Sequence, residues 1–206
     1  MKLLANRIIA IVRTKESAQA GRVVYALAAG KIKAIEISLT TPDAQVVLAH
    51  ILSDKRRDFL IGAGTALDLA TCRALIKKGI DFIVSPVVDK QIIELCRKGK
   101  VAVVPGAFTP TEIWQAWRWG ADLIKVFPVS LGGPQYIRDL ATPLPKVPLL
   151  ATGNINLNNV REYLSAGATA VAVGSALIDP KALANNDFNT ITETARRFVE
   201  LVNQTP

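Results

Sequence analysis

The chain of 206 residues has a single histidine, His50, and two cysteines, Cys72 and Cys96. One imidazole cannot furnish a His-rich metal centre and argues against a His-based catalytic triad. Two cysteines cannot build a disulfide framework or a Cys-rich zinc site. Long apolar runs are also missing. The longest uncharged stretch, Tyr163 to Ile178, is broken by glycines and falls short of the ~18 residues of a membrane span. The opening MKLLANRIIAIVR imitates a signal peptide, but Asn6 and Arg7 interrupt it and no small-residue cleavage site follows closely. These absences predict a soluble, cytoplasmic protein. No linker, low-complexity tract or composition shift appears, so a single domain over 1–206 is expected. Acidic residues are the scarcer charge, 17 Asp+Glu against 25 Lys+Arg, for a net +8. That balance predicts an anionic partner: a phosphorylated metabolite, nucleic acid or an acidic surface.

What is present is apolar and patterned. Half of the residues are hydrophobic, enough for a sizeable core and too many for a disordered chain. Eight short β-branched or apolar runs recur: RIIAIVR (7–13), KAIEISL (33–39), FLIGAG (59–64), DFIVSP (81–86), VAVVPG (101–106), DLIKVFP (122–128), VPLLATG (147–153) and AVAVGS (170–175). Between them lie stretches with helical texture, such as SAQAGRVVYALAAG and DLATCRALIKKG, several closing on glycine. The runs are apolar at both parities, as strands buried on both faces are. Eight such units favour a closed (β/α)8 barrel, the TIM-barrel class of α/β fold, over an open doubly wound sheet. An open sheet would usually carry a glycine-rich phosphate fingerprint after its first strand, where this chain has VRTKES. The stretch from Asp187 to Asn203 reads as a last helix, with Ile191, Ala195, Phe198 and Val202 near helical spacing.

Two charges sit inside these apolar runs, Glu36 in KAIEISLTT and Lys125 in DLIKVFP, and Arg13 closes the first run. Side chains alternate along a strand. Lys125 therefore shares a face with Leu123 and Phe127, and Glu36 with Ala34, Ser38 and Thr40. The large aliphatics at 35, 37, 39, 124 and 126 suit the helix-facing side, so Glu36 and Lys125 are predicted to point into the barrel. A structural reading makes them a buried ion pair. A chemical reading gives Lys125 a dry, cationic pocket that favours its neutral, nucleophilic form, able to form a Schiff base with a ketone. A carboxylate in reach then shuttles protons.

The seventh run ends in ATGNIN and the eighth in VGSAL. Barrel enzymes often hold phosphate in the loops after these two strands, where glycine lets backbone N–H groups approach and a helix start adds its dipole. Gly153, Asn154, Gly174 and Ser175 are the candidates; the alternative is that these glycines only close tight turns.

At this point the chain resembles a known family. IEISLTTPDA, IGAGTALD, FIVSPVVD, VPGAFTPTE, IKVFPVSLGGPQYI, ATGNINLNNV and VAVGSALI look like successive strand ends of the KHG/KDPG aldolases, which act on 4-hydroxy-2-oxoglutarate and 2-keto-3-deoxy-6-phosphogluconate. The resemblance implies a class I, Schiff-base lyase without metal or other cofactor, usually a homotrimer. In it Lys125 matches the lysine that condenses with the keto carbon and Glu36 the general acid/base. Thr65 and Arg13 match residues at the pyruvate carboxylate, Pro86 and Phe127 residues shaping the pocket. Thr152, Gly153, Gly174 and Ser175 match the segment gripping the phosphate or distal end. The resemblance also departs in two places. Thr40 stands where some members carry arginine, so carboxylate binding leans on Arg13 and Thr65. Asn154 stands where the family often has glycine, which puts a side chain at a phosphate-facing turn. The N-terminal segment is shorter than is common in the family, so a less covered barrel floor is expected.

The implied substrate is a small keto-acid phosphate: 2-keto-3-deoxy-6-phosphogluconate, with hydroxy-oxoglutarate beside it, or the phosphogalactonate-derived isomer. A barrel that binds a phosphorylated ligand without cleaving it is a second reading. Nucleic acid is disfavoured because the basic residues are scattered over helix ends, and no membrane partner is expected. Cys72 and Cys96 fit buried helical positions, and His50 a packed or surface one. Trp114 and Trp117, on one helical face, are expected to pack on the barrel or an oligomer interface.

Overall fold

A computed structural model describes residues 3–205; Met1, Lys2 and Pro206 lie outside it. The chain alternates strand and helix throughout. The first half runs β1 (Ile8–Val12), α1 (Ser17–Ala29), β2 (Ala34–Ser38), α2 (Ala44–Ser53), β3 (Leu60–Gly64), α3 (Leu69–Lys77), β4 (Phe82–Val84), α4 (Lys90–Lys98) and β5 (Ala102–Val104). The second half runs β6 (Gly106–Ala107), α5 (Pro110–Arg118), β7 (Ile124–Val126), α6 (Gly133–Ala141), β8 (Leu149–Thr152), α7 (Val160–Ser165), β9 (Ala170–Val173), α8 (Pro180–Ala184) and α9 (Phe188–Asn203). Every strand pairing is parallel, in the order β5-β4-β3-β2-β1-β9-β8-β7-β6.

The eight runs become nine strands among the described residues because Pro105 divides VAVVPG. Proline has no N–H to give to a ladder. Its carbonyl still accepts from Lys125 N at 2.9 Å. On one side of it β5 pairs with β4, and on the other β6 pairs with β7. The sheet therefore closes into a barrel through the chain at Pro105, with the lysine strand laid against that junction.

The alternation read from sequence sorts the side chains as expected. Ile35 and Ile37 face outward into the large core beneath the helices. Ile9, Ala34, Phe82, Leu123 and Leu150 face inward and form a separate cluster within the barrel. Each large side chain so buried contributes about 1.5–3 kcal/mol. Leu3, in a short 3-10 turn, joins that inner cluster at the barrel floor.

Local chemistry sets the helix ends. Asp68 and Asp89 accept from the first-turn N–H groups of α3 and α4, and Thr109 with Glu112 makes a capping box on α5. Asp187 caps α9, which buries the four anticipated residues Ile191, Ala195, Phe198 and Val202. Cys72 and Cys96 are buried, and burial pushes their thiols up to about 11 and about 12, so neither is a reactive thiolate. His50 is exposed. Trp114 and Trp117 differ in burial. The face that α5 buries carries Ile113 and Ala116, which leaves Trp114 46% exposed while Trp117 packs at the edge of the core. Among the described residues no helix is long and apolar enough to cross a membrane.

Candidate active site

The inward row of β2 continues from Ala34 through Glu36 to Ser38, and that of β7 from Leu123 to Lys125. Glu36 is 3% exposed and Lys125 7% exposed, on strands that are buried throughout. The two strands are not neighbours, so their side chains meet only across the lumen. The structural alternative, a direct buried ion pair, is not what forms. Among the described residues no Glu36–Lys125 ion pair lies within 4.0 Å; the ion pairs are elsewhere. The amine and the carboxylate are thus buried in one lumen without being paired to each other.

Each charge has a distinct setting. Burial pushes the Glu36 carboxyl above the usual carboxylate range, and the positive charges of Lys125 and Arg13 oppose that shift without cancelling it. Gly64, in register with Ser38 on the next strand, lets the carboxyl lie close. A Cβ there would stand 2.7 Å from Glu36 Oε1. Lys125 Nζ lies 5.0 Å from the centroid of the Phe127 ring, a cation–π contact. Phe127 itself is 39% exposed at the barrel mouth.

The other expected residues gather at the same, C-terminal end of the strands. Thr65 follows β3, and its hydroxyl lies 3.0 Å from Ser38 Oγ. Pro86 follows β4 and abuts the backbone at Gly106, the register partner of Lys125. Arg13 sits exposed just past β1, near enough to act electrostatically on Glu36. Thr152 ends β8 on the same face as Leu150. Its Oγ1 is the one sealed side-chain polar atom among the described residues without a hydrogen-bond partner. Such a group costs about 1–3 kcal/mol unless something binds it.

The rim loops differ from expectation in one respect. Gly153 and Asn154 both adopt positive φ, 125° and 53°. Gly153 needs that freedom, because a Cβ would also crowd Val129 N at 3.2 Å. These left-handed residues turn the chain before helix can begin. α7 starts only at Val160, and α8 only at Pro180 beyond Gly174 and Ser175. Any anion here would meet loop N–H groups and side chains, not a helix start. Asn159 Nδ2 donates to Asn154 O at 3.1 Å and steadies the turn, while Asn154 and Ser175 are exposed.

A cavity of about 600 Å³ lies at the opposite end, lined by Leu3, Asp81, Arg97 and Asp122 among others. Three of its charges, Asp81, Arg97 and Asp122, are committed to structure. Asp81 binds Arg57 and Ile61 N, Asp122 accepts from Val103 N, and Arg97 donates to Gly120 O. Among the described residues no group of three or more His, Cys, Asp or Glu could hold a metal ion.

Sequence reasoning alone misses the contact that Ser38 makes. Its place in the Glu36 row is visible, but nothing in the sequence shows that its hydroxyl touches Thr65.

The family model described as KDPG and KHG aldolase matches residues 1–194. The chain is 31% identical over 196 residues to a 2-dehydro-3-deoxy-phosphogluconate aldolase of Pseudomonas aeruginosa, covering 94% of this chain and 88% of that one. It is 33% identical over 171 residues to the 2-dehydro-3-deoxy-6-phosphogalactonate aldolase of Escherichia coli K12, covering 82% and 83%. Among solved structures, one described as native KDPGal superposes with a TM-score of 0.88 at 30% identity, over 96% of this chain and 95% of that one. The KDPG aldolase of Legionella pneumophila, with pyruvate captured as a covalent carbinolamine, superposes with a TM-score of 0.85 at 29% identity, over 94% of each.

Proposed function

We propose, since this chain belongs to the family of KDPG and KHG aldolases, that it cleaves 2-keto-3-deoxy-6-phosphogluconate to pyruvate and glyceraldehyde 3-phosphate through a Schiff base on Lys125. The same site also takes 4-hydroxy-2-oxoglutarate, giving pyruvate and glyoxylate. The observation that carries the reading is a buried amine and a buried carboxylate facing one another across a barrel lumen without pairing.

The free-base amine of Lys125 attacks the C2 ketone. The carbinolamine loses water to give an iminium, with Glu36 moving the protons. Glu36 as carboxylate then takes the proton of the C4 hydroxyl. The C3–C4 bond breaks, its electron pair passes into the iminium, and the aldehyde departs. The enamine takes a proton from Glu36 at C3, and water hydrolyses the resulting iminium to pyruvate and free Lys125. Thr65 and Arg13 hold the keto-acid carboxylate, and Phe127 and Pro86 wall the pocket. Thr152, whose buried hydroxyl lacks a partner, meets a hydroxyl of the leaving half. Gly153, Asn154, Gly174 and Ser175 hold the distal phosphate.

Gly64 tests the Glu36 role without touching it. Gly64→Ala has no left-handed φ to fight, but its methyl displaces the carboxyl. Turnover is expected to fall roughly 10²-fold, the cost of misplacing a reacting group by about an ångström, with the circular dichroism spectrum unchanged. An unchanged turnover contradicts the role.

The second reading is the phosphogalactonate-derived substrate. It is favoured by the identity to the Escherichia coli enzyme that bears that name and by the superposition on the KDPGal structure. Both sugar-acid phosphates and hydroxy-oxoglutarate, assayed for pyruvate release with equal enzyme, decide between them. The phosphogluconate-derived substrate is expected to give the highest kcat/KM. A higher value for its isomer transfers the assignment, and no pyruvate from any of them leaves a barrel that binds without cleaving.

A further inference from the structure

The mechanism uses Glu36 from the inward row of β2 but neither hydroxyl above it. Ser38 is fully buried. Its Oγ lies 2.8 Å from Thr40 Oγ1 and 3.0 Å from Thr65 Oγ1, and Thr40 N donates to it at 3.4 Å. Ser38 is therefore the middle of a chain of three hydroxyls spanning the seam between β2 and β3. Thr65 has a φ of 60°, a region that β-branched residues rarely adopt. A residue held there by its surroundings marks a place where its direction matters.

We propose that Ser38 is a positioning residue for the carboxylate end of the keto acid: it fixes the Thr65 hydroxyl toward that carboxylate and links it to Thr40. This rests on the assignment of Thr65 to the carboxylate and of Lys125 to the Schiff base. Each hydroxyl has one proton to give. With an anion at Thr65, Thr65 donates to the anion and accepts from Ser38, and Ser38 accepts from Thr40. All three protons then run one way, and each bond polarises the next. The last bond, hydroxyl to carboxylate, is charge-assisted and the strongest of the chain. Without the Ser38 hydroxyl, Thr65 loses the donor that aligns it and Thr40 loses its acceptor.

The test is borohydride trapping of ketones on Lys125 in the full chain, comparing pyruvate with hydroxyacetone, which has no carboxylate. Ser38→Ala is expected to raise the half-saturating pyruvate concentration up to about 10-fold, the upper weight of one hydrogen bond between neutral groups. Its half-saturation with hydroxyacetone is expected to match wild type, and Ser38→Thr to restore pyruvate binding. The ratio of the two ketones within one preparation is insensitive to a partly unfolded sample. An unaltered pyruvate dependence in Ser38→Ala, or an equal loss for both ketones, overturns the positioning role while leaving the Schiff base intact. Absence of any pyruvate adduct in wild type overturns the Lys125 assignment and the Ser38 role with it.

Discussion

Lys125→Ala loses aldol cleavage to background, a larger effect than the ~10²–10⁴-fold assigned to a missing proton transfer. The reason is covalent. Without the amine no iminium forms, and the electron pair of the C3–C4 bond has nowhere to go. Lys125 lies in the lumen between the Pro105 junction and β8, where no second lysine lines the strands. Pyruvate release and the circular dichroism spectrum, measured together, check this. The spectrum is expected to be retained, because the β7 ladder uses backbone groups. Residual cleavage within tenfold of wild type contradicts the assignment.

Glu36→Gln slows turnover by roughly 10²–10⁴-fold, because the amide keeps shape and hydrogen-bonding capacity but cannot carry the proton. Burial raises the Glu36 carboxyl above its usual range. In wild type the acid limb of kcat/KM is therefore expected at higher pH than an ordinary carboxylate gives, and in Glu36→Gln that limb vanishes. The same shift fixes a stability effect. A carboxyl whose folded pKa exceeds its unfolded value contributes stability that is present below the unfolded pKa and lost as pH rises through the folded one. The substituted amide stays neutral throughout. Glu36→Gln is thus expected to melt above wild type in mildly alkaline buffer, by about 2–4 °C for each kcal/mol, with the gap closing in acid. A variant that melts lower in alkali contradicts the burial argument.

The barrel and the pair at its centre are legible in the sequence because both rest on alternation. Runs such as AIEIS and LIKV place aliphatic side chains on one face by simple parity, and a charge on the other face must enter the lumen. The break at Pro105 is readable too, since a proline in a strand run cannot complete a ladder, but counting runs passes over it. Other features depend on contacts between segments distant in sequence. That Ser38 touches Thr65 follows from the register of β2 with β3, and that Thr152 Oγ1 is left without a partner follows from the whole lumen. The phosphate candidates are legible as a glycine pattern. The late start of α7 is not, because it follows the left-handed turn at Gly153 and Asn154. That Ile113 and Ala116, and not Trp114, set the buried face of α5 is not legible from the tryptophan spacing alone.

Mass mapping of the protein after incubation with pyruvate and borohydride bears most directly on the chemistry. One reduced pyruvate adduct per chain, on the peptide containing Lys125 and absent from Lys125→Ala, is the predicted result. An adduct on any other lysine, or an unlabelled wild-type chain, contradicts it.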